Sequence, residues 1–267
     1  MSVPESPKRR QLRKALRALT NHVAGLKEHE FDVNQAKAQN IHILPMDLDQ
    51  QSPSRPTFFA SRSPDLLFSP DDSYDHRTPP GFCNLDSIPR KFREPRDGAR
   101  NILEYFHHYV YACALFSKDW VLNEPWCPVS LGDVPFVNLN DHSSPEFVTS
   151  NACQVKDGPY PHLKAMVYNN LDGADDIILR GEVTIALRLI IAQMRRNRFI
   201  EHMTAPVLLF SFMGPQQVRL VEAYFNGSSV VVRPSRLFDL RTKNEAVLKE
   251  LGQWFFGPPI GNTKECP

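Results

Sequence analysis

Few side chains in this chain of 267 residues are spaced for chemistry. His107 and His108 place two imidazoles side by side, but neighbours on a helix project about 100° apart and cannot share one metal ion. Asp172, Asp175 and Asp176 gather carboxylates just before an apolar run. Their oxygens suit Mg²⁺, yet the same position suits capping of the helix that follows, and capping is the expected use. There is no Gly-x-Ser-x-Gly elbow, no Gly-x-x-x-x-Gly-Lys phosphate loop and no Gly-x-Gly-x-x-Gly, and twelve glycines in all leave little room for a variant of them. Hydrolase, kinase and dinucleotide-binding readings all lose ground.

The elements able to position chemistry lie mainly in the last third. Val183, Ile185, Ala186, Leu187, Leu189, Ile190, Ile191, Ala192 and Met194 leave only a narrow polar stripe between Glu182 and Arg196, which predicts a helix buried on most sides. Gly181 is its expected N-cap, and Arg195, Arg196 and Arg198 sit at the negative end of its dipole. Pro206 then opens a strand, Val207 to Met213, apolar on both faces. Val218 to Phe225 runs into Asn226-Gly227, a hairpin signal, and Ser229 to Arg233 returns.

With a two-residue turn, Phe225 opposes Ser228, Ala223 opposes Val230, Glu222 opposes Val231 and Leu220 opposes Arg233. One face then carries Val221, Ala223, Phe225, Val230 and Val232, while Glu222 and Arg233 become diagonal neighbours on the other. A helix from Asn244 to Phe256, with Val247, Leu248, Leu251, Trp254 and Phe255 as its stripe, closes the order α-β-β-β-α. The expected fold class is α+β: a small mixed or antiparallel sheet with an Asn-Gly hairpin between helices.

Upstream, the signals weaken. Ser6-Pro7 caps a basic amphipathic helix in which Lys8, Arg9, Arg10, Arg13, Lys14 and Arg17 alternate with Leu12, Ala15, Leu16, Leu19, Val23 and Leu26. Three readings stand for it: a solvated face with a docking stripe, a nuclear-import or phosphate-contacting segment, or a mitochondrial presequence. From 44 to 98, frequent prolines among Ser, Asp and Arg describe a disordered, Pro/Ser-rich linker. Its Ser52-Pro53, Ser63-Pro64 and Ser69-Pro70 pairs are turn markers or phosphorylation sites. Ala99 to Trp120 reads as a helix with Ile102, Phe106, Tyr109, Cys113 and Phe116 on one side. Glu124 to Pro161 reads as an irregular connection pinned by Trp126, Phe136 and Phe147, and His162 to Leu171 as a short helix. The resulting domain plan is a basic helical segment at 1–43, a linker at 44–98 and a globular α+β domain at 99–267.

Net charge is +1, so any pull toward nucleic acid or membrane must be local. Arg188 interrupts the longest apolar helix, and no span of about 20 apolar residues exists. Five cysteines, Cys83, Cys113, Cys127, Cys153 and Cys266, are irregularly spaced without a Cys-x-x-Cys pair, as expected of reduced thiols in an intracellular protein, cytoplasmic or nuclear.

The α-β-β-β-α order, with Glu182 on its first helix and Glu222 on its second strand, resembles the core of the PD-(D/E)XK nuclease-like fold over about residues 181 to 256. That resemblance implies a helix acid at Glu182, a strand acid at Glu222 and the lysine position at Arg233, gathered around Mg²⁺ for phosphodiester cleavage. Val231 stands where the second strand acid belongs, and an arginine cannot be deprotonated to act as a base at neutral pH. The block Ala205-Pro-Val-Leu-Leu-Phe-Ser-Phe-Met-Gly-Pro-Gln-Gln-Val-Arg-Leu-Val-Glu-Ala-Tyr-Phe-Asn-Gly227, with Trp254 to Gly261 after it, resembles a family of uncharacterised proteins from filamentous ascomycete fungi, which implies an origin and no activity.

Two functions from different classes follow. One is a non-catalytic interaction or regulatory protein with an unknown protein partner, needing no cofactor and no metal, in which Glu222 and Arg233 form a structural ion pair. The other is a diverged Mg²⁺-dependent phosphodiesterase using Glu182, Glu222 and Arg233 as catalytic residues. Nucleic-acid association through Lys8, Arg9, Arg10, Arg13, Lys14 and Arg17 is a further alternative.

Overall fold

The computed structural model describes residues 4–64, 82–116 and 125–267. The Ser69-Pro70 pair and the end of the Ala99–Trp120 segment lie outside them. Helices α1 (Pro7–Ala24), α2 (Val33–Ala38), α3 (Pro95–Phe116), α4 (Arg180–Met194) and α5 (Glu245–Phe256) accompany strands β1 (Glu30–Phe31), β2 (Ile41–Ile43), β3 (Trp126–Pro128), β4 (Phe147–Val155), β5 (Leu163–Asp172), β6 (Ile178–Leu179), β7 (Val207–Gly214), β8 (Gln217–Phe225), β9 (Val230–Pro234) and β10 (Phe238–Asp239). The fold is α+β, as expected. Its main sheet runs β2-β9-β8-β7-β5-β4-β3, with β10 paired to β8 and β1 paired to β6 apart from it. It is mixed, because β2 lies parallel to β9 and β5 parallel to β7 while the other pairs are antiparallel.

Period two along the strands sorts side chains onto two faces. Val207, Leu209, Val221, Ala223, Phe225, Val230 and Val232 face α1 and α4 in one core. Leu208, Phe210, Phe212, Val218 and Leu220 face α3 and α5 in the other. Burying each such side chain contributes about 1.5–3 kcal/mol relative to exposure, so a sheet covered on both faces is far more stable than a half-covered one.

The hairpin keeps the expected faces but not the expected partners. Its loop holds four residues, Asn226 to Ser229, so Phe225 pairs with Val230, Ala223 with Val232 and Glu222 with Arg233. Asn226 Oδ1 accepts the Ser228 and Ser229 amides at 3.1 and 2.9 Å, and Gly227 takes φ +100°, which holds the wider loop. The slip is two residues, so alternation is preserved and every side chain stays on its side.

Two segments correct the sequence reading. Within 124–161, Phe147–Val155 is a nine-residue strand, and Leu163–Asp172 is a strand where a short helix was expected. Strand β5 is enclosed by β4 and β7 and buried on both faces, so Leu163-Lys164-Ala165-Met166-Val167 shows no alternation to read. The expected linker also differs in part: Met46, Phe58 and Phe59 are buried against the α5 side of the sheet. Gly181 lies inside the first turn of α4 rather than capping it. A Cβ there would stand 2.1 Å from Asn169 Oδ1 and 2.8 Å from Phe147 Cβ, so it is the close approach of helix and sheet that requires glycine.

Helices α1 and α5 begin as their caps predict. Ser6 Oγ accepts the Arg9 amide at 3.2 Å, and Asn244 Oδ1 accepts that of Val247 at 3.2 Å. The N-terminal end of α1 touches the C-terminal end of α4 through Arg9, while the chain leaving α1 pairs β1 with β6 at the start of α4, so the two helices run antiparallel.

Candidate functional site

Strand β8 carries Glu222 and also Arg219, which holds Glu182, and it sends the two to opposite faces. Arg219 belongs to the odd-numbered face that packs on α4; Glu222 belongs to the even-numbered face that looks toward α3 and α5.

On the first face, Glu182 and Arg219 form a bidentate pair, Nε to Oε1 at 2.8 Å and Nη2 to Oε2 at 2.6 Å, with both side chains fully buried. Arg219 Nη1 donates further to the carbonyls of Ala174 and Ile177 at 3.0 and 2.8 Å. The Leu179 amide donates to Glu182 Oε2 at 2.8 Å, so Glu182 itself caps α4. The aspartates expected to cap that helix do not: Asp172, Asp175 and Asp176 are exposed, and Asp175 accepts the Leu237 amide at 2.7 Å.

On the second face, Glu222 Oε2 accepts from Arg233 Nη1 at 2.8 Å and from the Thr57 amide at 2.9 Å, and Oε1 accepts from the Phe58 amide at 2.7 Å. Arg233 also donates to Thr57 Oγ1 at 2.7 Å and to the Ser54 carbonyl at 2.8 Å. Burial pushes the Glu222 carboxyl above its ordinary range, opposed by the two amides and Arg233. Glu222 and Arg233 are thus brought together as directly paired residues, but Glu182 is held on the far side of the sheet. Each carboxylate is spent on its own arginine and on backbone amides, which leaves them no common point at which to hold a metal ion.

The remaining candidates also have local partners. His107 Nε2 lies 3.4 Å from Asn151 Nδ2, and His108 Nδ1 lies 2.8 Å from the Glu104 carbonyl. Among the described residues, no group of three His, Cys, Asp or Glu side chains is placed to hold a metal. The five cysteines form no disulfide.

Sequence reasoning missed two cations that are almost wholly buried. Arg219 continues the odd-numbered apolar face of β8, and a cation on a core face calls for buried acceptors, an acid among the candidates, which is the available signal. Lys164 is the other: its Nζ donates to the carbonyls of Trp254, Phe255 and Gly257 at 2.9, 2.9 and 2.6 Å and lies 4.0 Å from the Trp126 ring centroid. Burial pulls its pKa well down, while three acceptors match the three N–H donors that only the ammonium has. This lysine closes the C-terminus of α5.

The basic helix divides likewise. Arg9 is buried, donating to the carbonyls of Met194 (2.7 Å), Phe199 (3.2 Å) and His202 (3.0 Å) and to Glu5 (2.7 Å). Arg13 grips the same carboxylate at 2.6 and 2.7 Å, and chiefly through Arg13 the Glu5 pKa falls to about 2. Lys8, Arg10, Lys14 and Arg17 are exposed. The chain matches no protein-family model, no curated protein and no solved structure. No described helix is long and apolar enough to cross a membrane.

Proposed function

We propose that the chain is a non-catalytic interaction or regulatory protein of the cytoplasm or nucleus. The observation that carries this reading is the separation of Glu182 from Glu222 by the sheet, with Glu182 held by Arg219 and one backbone amide and Glu222 by Arg233 and two. Metal-assisted phosphodiester hydrolysis needs acids converging on one ion with open coordination positions, and both requirements go unmet by this arrangement.

The test is a thermal titration of the full chain with Mg²⁺ and Mn²⁺, beside Glu222→Gln, with cleavage assays on single- and double-stranded DNA. A ligand that binds only the folded state raises its melting temperature, by about 2.7 kcal/mol of stability at a hundred times Kd. The expected result is no shift and no cleavage. A metal-dependent rise lost in Glu222→Gln, together with cleavage, would return the nuclease-like reading.

A second reading, association with nucleic acid through α1, is favoured by one observation. Lys8, Arg10, Lys14 and Arg17 point to solvent, and no carboxylate among the described residues pairs with them. Such cations contribute little to the fold and are available to phosphates.

A further inference from the structure

The exposed cations of α1 are not spread evenly. Arg10, Lys14, Arg17 and Asn21 recur at i, i+4, i+7 and i+11, which puts them in one row along the helix, directly away from Leu12, Leu16, Leu19 and Val23. The row from Arg10 to Arg17 is about 10 Å long at 1.5 Å per residue. No acidic residue occurs in α1 at all, and Glu5, just ahead of it, is held by Arg9 and Arg13 on the flank. Beyond the N-terminal end of α1 the positive charge continues, because Arg9 reaches the end of α4 where Arg195 and Arg198 are exposed.

We infer that this row is a docking surface for the phosphate backbone of double-stranded nucleic acid, bound without regard to sequence. The inference rests on the nucleic-acid reading of α1 and sharpens it: Arg10, Lys14 and Arg17 make the contacts, whereas Arg9 and Arg13, which carry the same charge in the sequence, do not.

Three features favour a rigid polyanion over other acidic partners. A helix that binds a lipid surface lays its apolar face into the acyl boundary, but the apolar face of α1 is already buried against α4. A protein partner is usually anchored by a large apolar or aromatic side chain at the centre of the contact, and none of the exposed large apolar side chains among the described residues lies on α1. What remains is a purely cationic, straight and preorganised row, and duplex DNA presents one negative charge for about every 1.7 Å of its axis. Because α1 is docked on the fold, binding needs no coupled folding of the helix. Contacts to phosphate position a protein without specifying a site, so binding is expected at any sequence.

The test uses the full chain and a labelled duplex of arbitrary sequence, about 20 base pairs long, with affinity followed by fluorescence anisotropy as salt rises from about 50 to about 200 mM. With three phosphate contacts the logarithmic salt slope is about −2.7, or roughly forty-fold weaker binding across that range. Arg10→Glu/Lys14→Glu removes two of them and should weaken low-salt binding at least about tenfold. Both positions face solvent, and the change exchanges one like-charged i, i+4 pair for another, so helicity and melting temperature should hold. Arg90→Glu/Lys249→Glu makes the same change in net charge elsewhere and should leave affinity within about twofold, since the contact is local. The inference is overturned by absence of duplex binding at low salt, by an Arg10→Glu/Lys14→Glu variant that binds like the parent, or by equal loss in the control pair. Tighter binding of the parent to phosphatidylserine vesicles than to duplex, lost in the same variant, would assign the row to a lipid surface instead. None of these outcomes bears on the metal titration, so the non-catalytic reading stands or falls separately.

Discussion

The two buried ion pairs of β8 use the same chemistry for different ends. Glu182 and Arg219 are both fully buried, and the hydrogen-bond partners of their side chains belong to α4, β8 or the segment Ala174 to Leu179. Glu222 is equally buried, but Arg233 keeps 10% of its side-chain surface, and the spare capacity of this pair holds a segment from far upstream, Ser54 to Phe58. The first pair therefore ties a helix start to the sheet. The second fastens a strap across it, with Phe58 and Phe59 sealing the contact. An acid on a strand next to an arginine is not by itself a sign of catalysis: what its second oxygen accepts decides its use, and here that is main chain.

The largest break in this comparison is Arg219→Met. It leaves Glu182 buried without a counter-charge, and a loss of about 3–5 kcal/mol in chemical denaturation is expected. The double replacement Glu182→Leu/Arg219→Met should recover most of it, and a double-mutant cycle would measure the coupling.

Glu222→Gln keeps the shape but weakens the strap and strands the Arg233 charge near the surface. The expected cost is smaller, about 1–3 kcal/mol. Hydrogen exchange should localise it, with the Thr57 and Phe58 amides losing protection before those of β8 do. Uniform loss of protection would mean that the strap and sheet open together, and the contrast between the pairs would collapse.

The acids also differ in how they respond to pH. Glu222 is raised above its ordinary value of 4.5, so the folded state binds the proton first. Its contribution to stability is then fully present below 4.5 and declines as pH rises through the raised value. Glu5 runs the other way: with a folded pKa of about 2 against 4.5, its contribution is present above 4.5 and lost as pH falls toward 2. Melting curves of Glu222→Gln and Glu5→Gln against pH should therefore diverge from the parent with opposite slopes. The smallest effect is expected for Glu5→Gln at neutral pH, about 1 kcal/mol, because glutamine still offers an acceptor to Arg9 and Arg13, and Arg13 remains 32% exposed, so solvent screens the lost charge there.

How legible all this was depended on where the partners lay. The faces of β8 and β9 could be read because alternation survives a slip of two residues, although the pairing itself could not: the loop length was set by Asn226 bonding into its own turn. Strand β4 was hidden among prolines and aromatics, and β5 because enclosure on both faces erases period two. Of the candidate constellation, the Glu222–Arg233 neighbourhood was visible and its backbone partners were not. Glu182 meets Arg219 instead, and the alternation of Val221, Ala223 and Phe225 carried back two residues places Arg219 on the face that packs on α4.

The sequence by itself determined the helices α1, α4 and α5, the hairpin faces and the amphipathic split of α1, because caps, turns and periodicity act within a few residues of chain. Tertiary structure decided which charge meets which. Arg219 finds Glu182 across 37 residues, Glu222 finds Thr57 across 165, and Arg9 finds Met194 across 185. A buried charge is stable only where an opposite charge or main-chain groups meet its hydrogen bonds, and those partners are chosen by the packing of layers, which local periodicity does not encode.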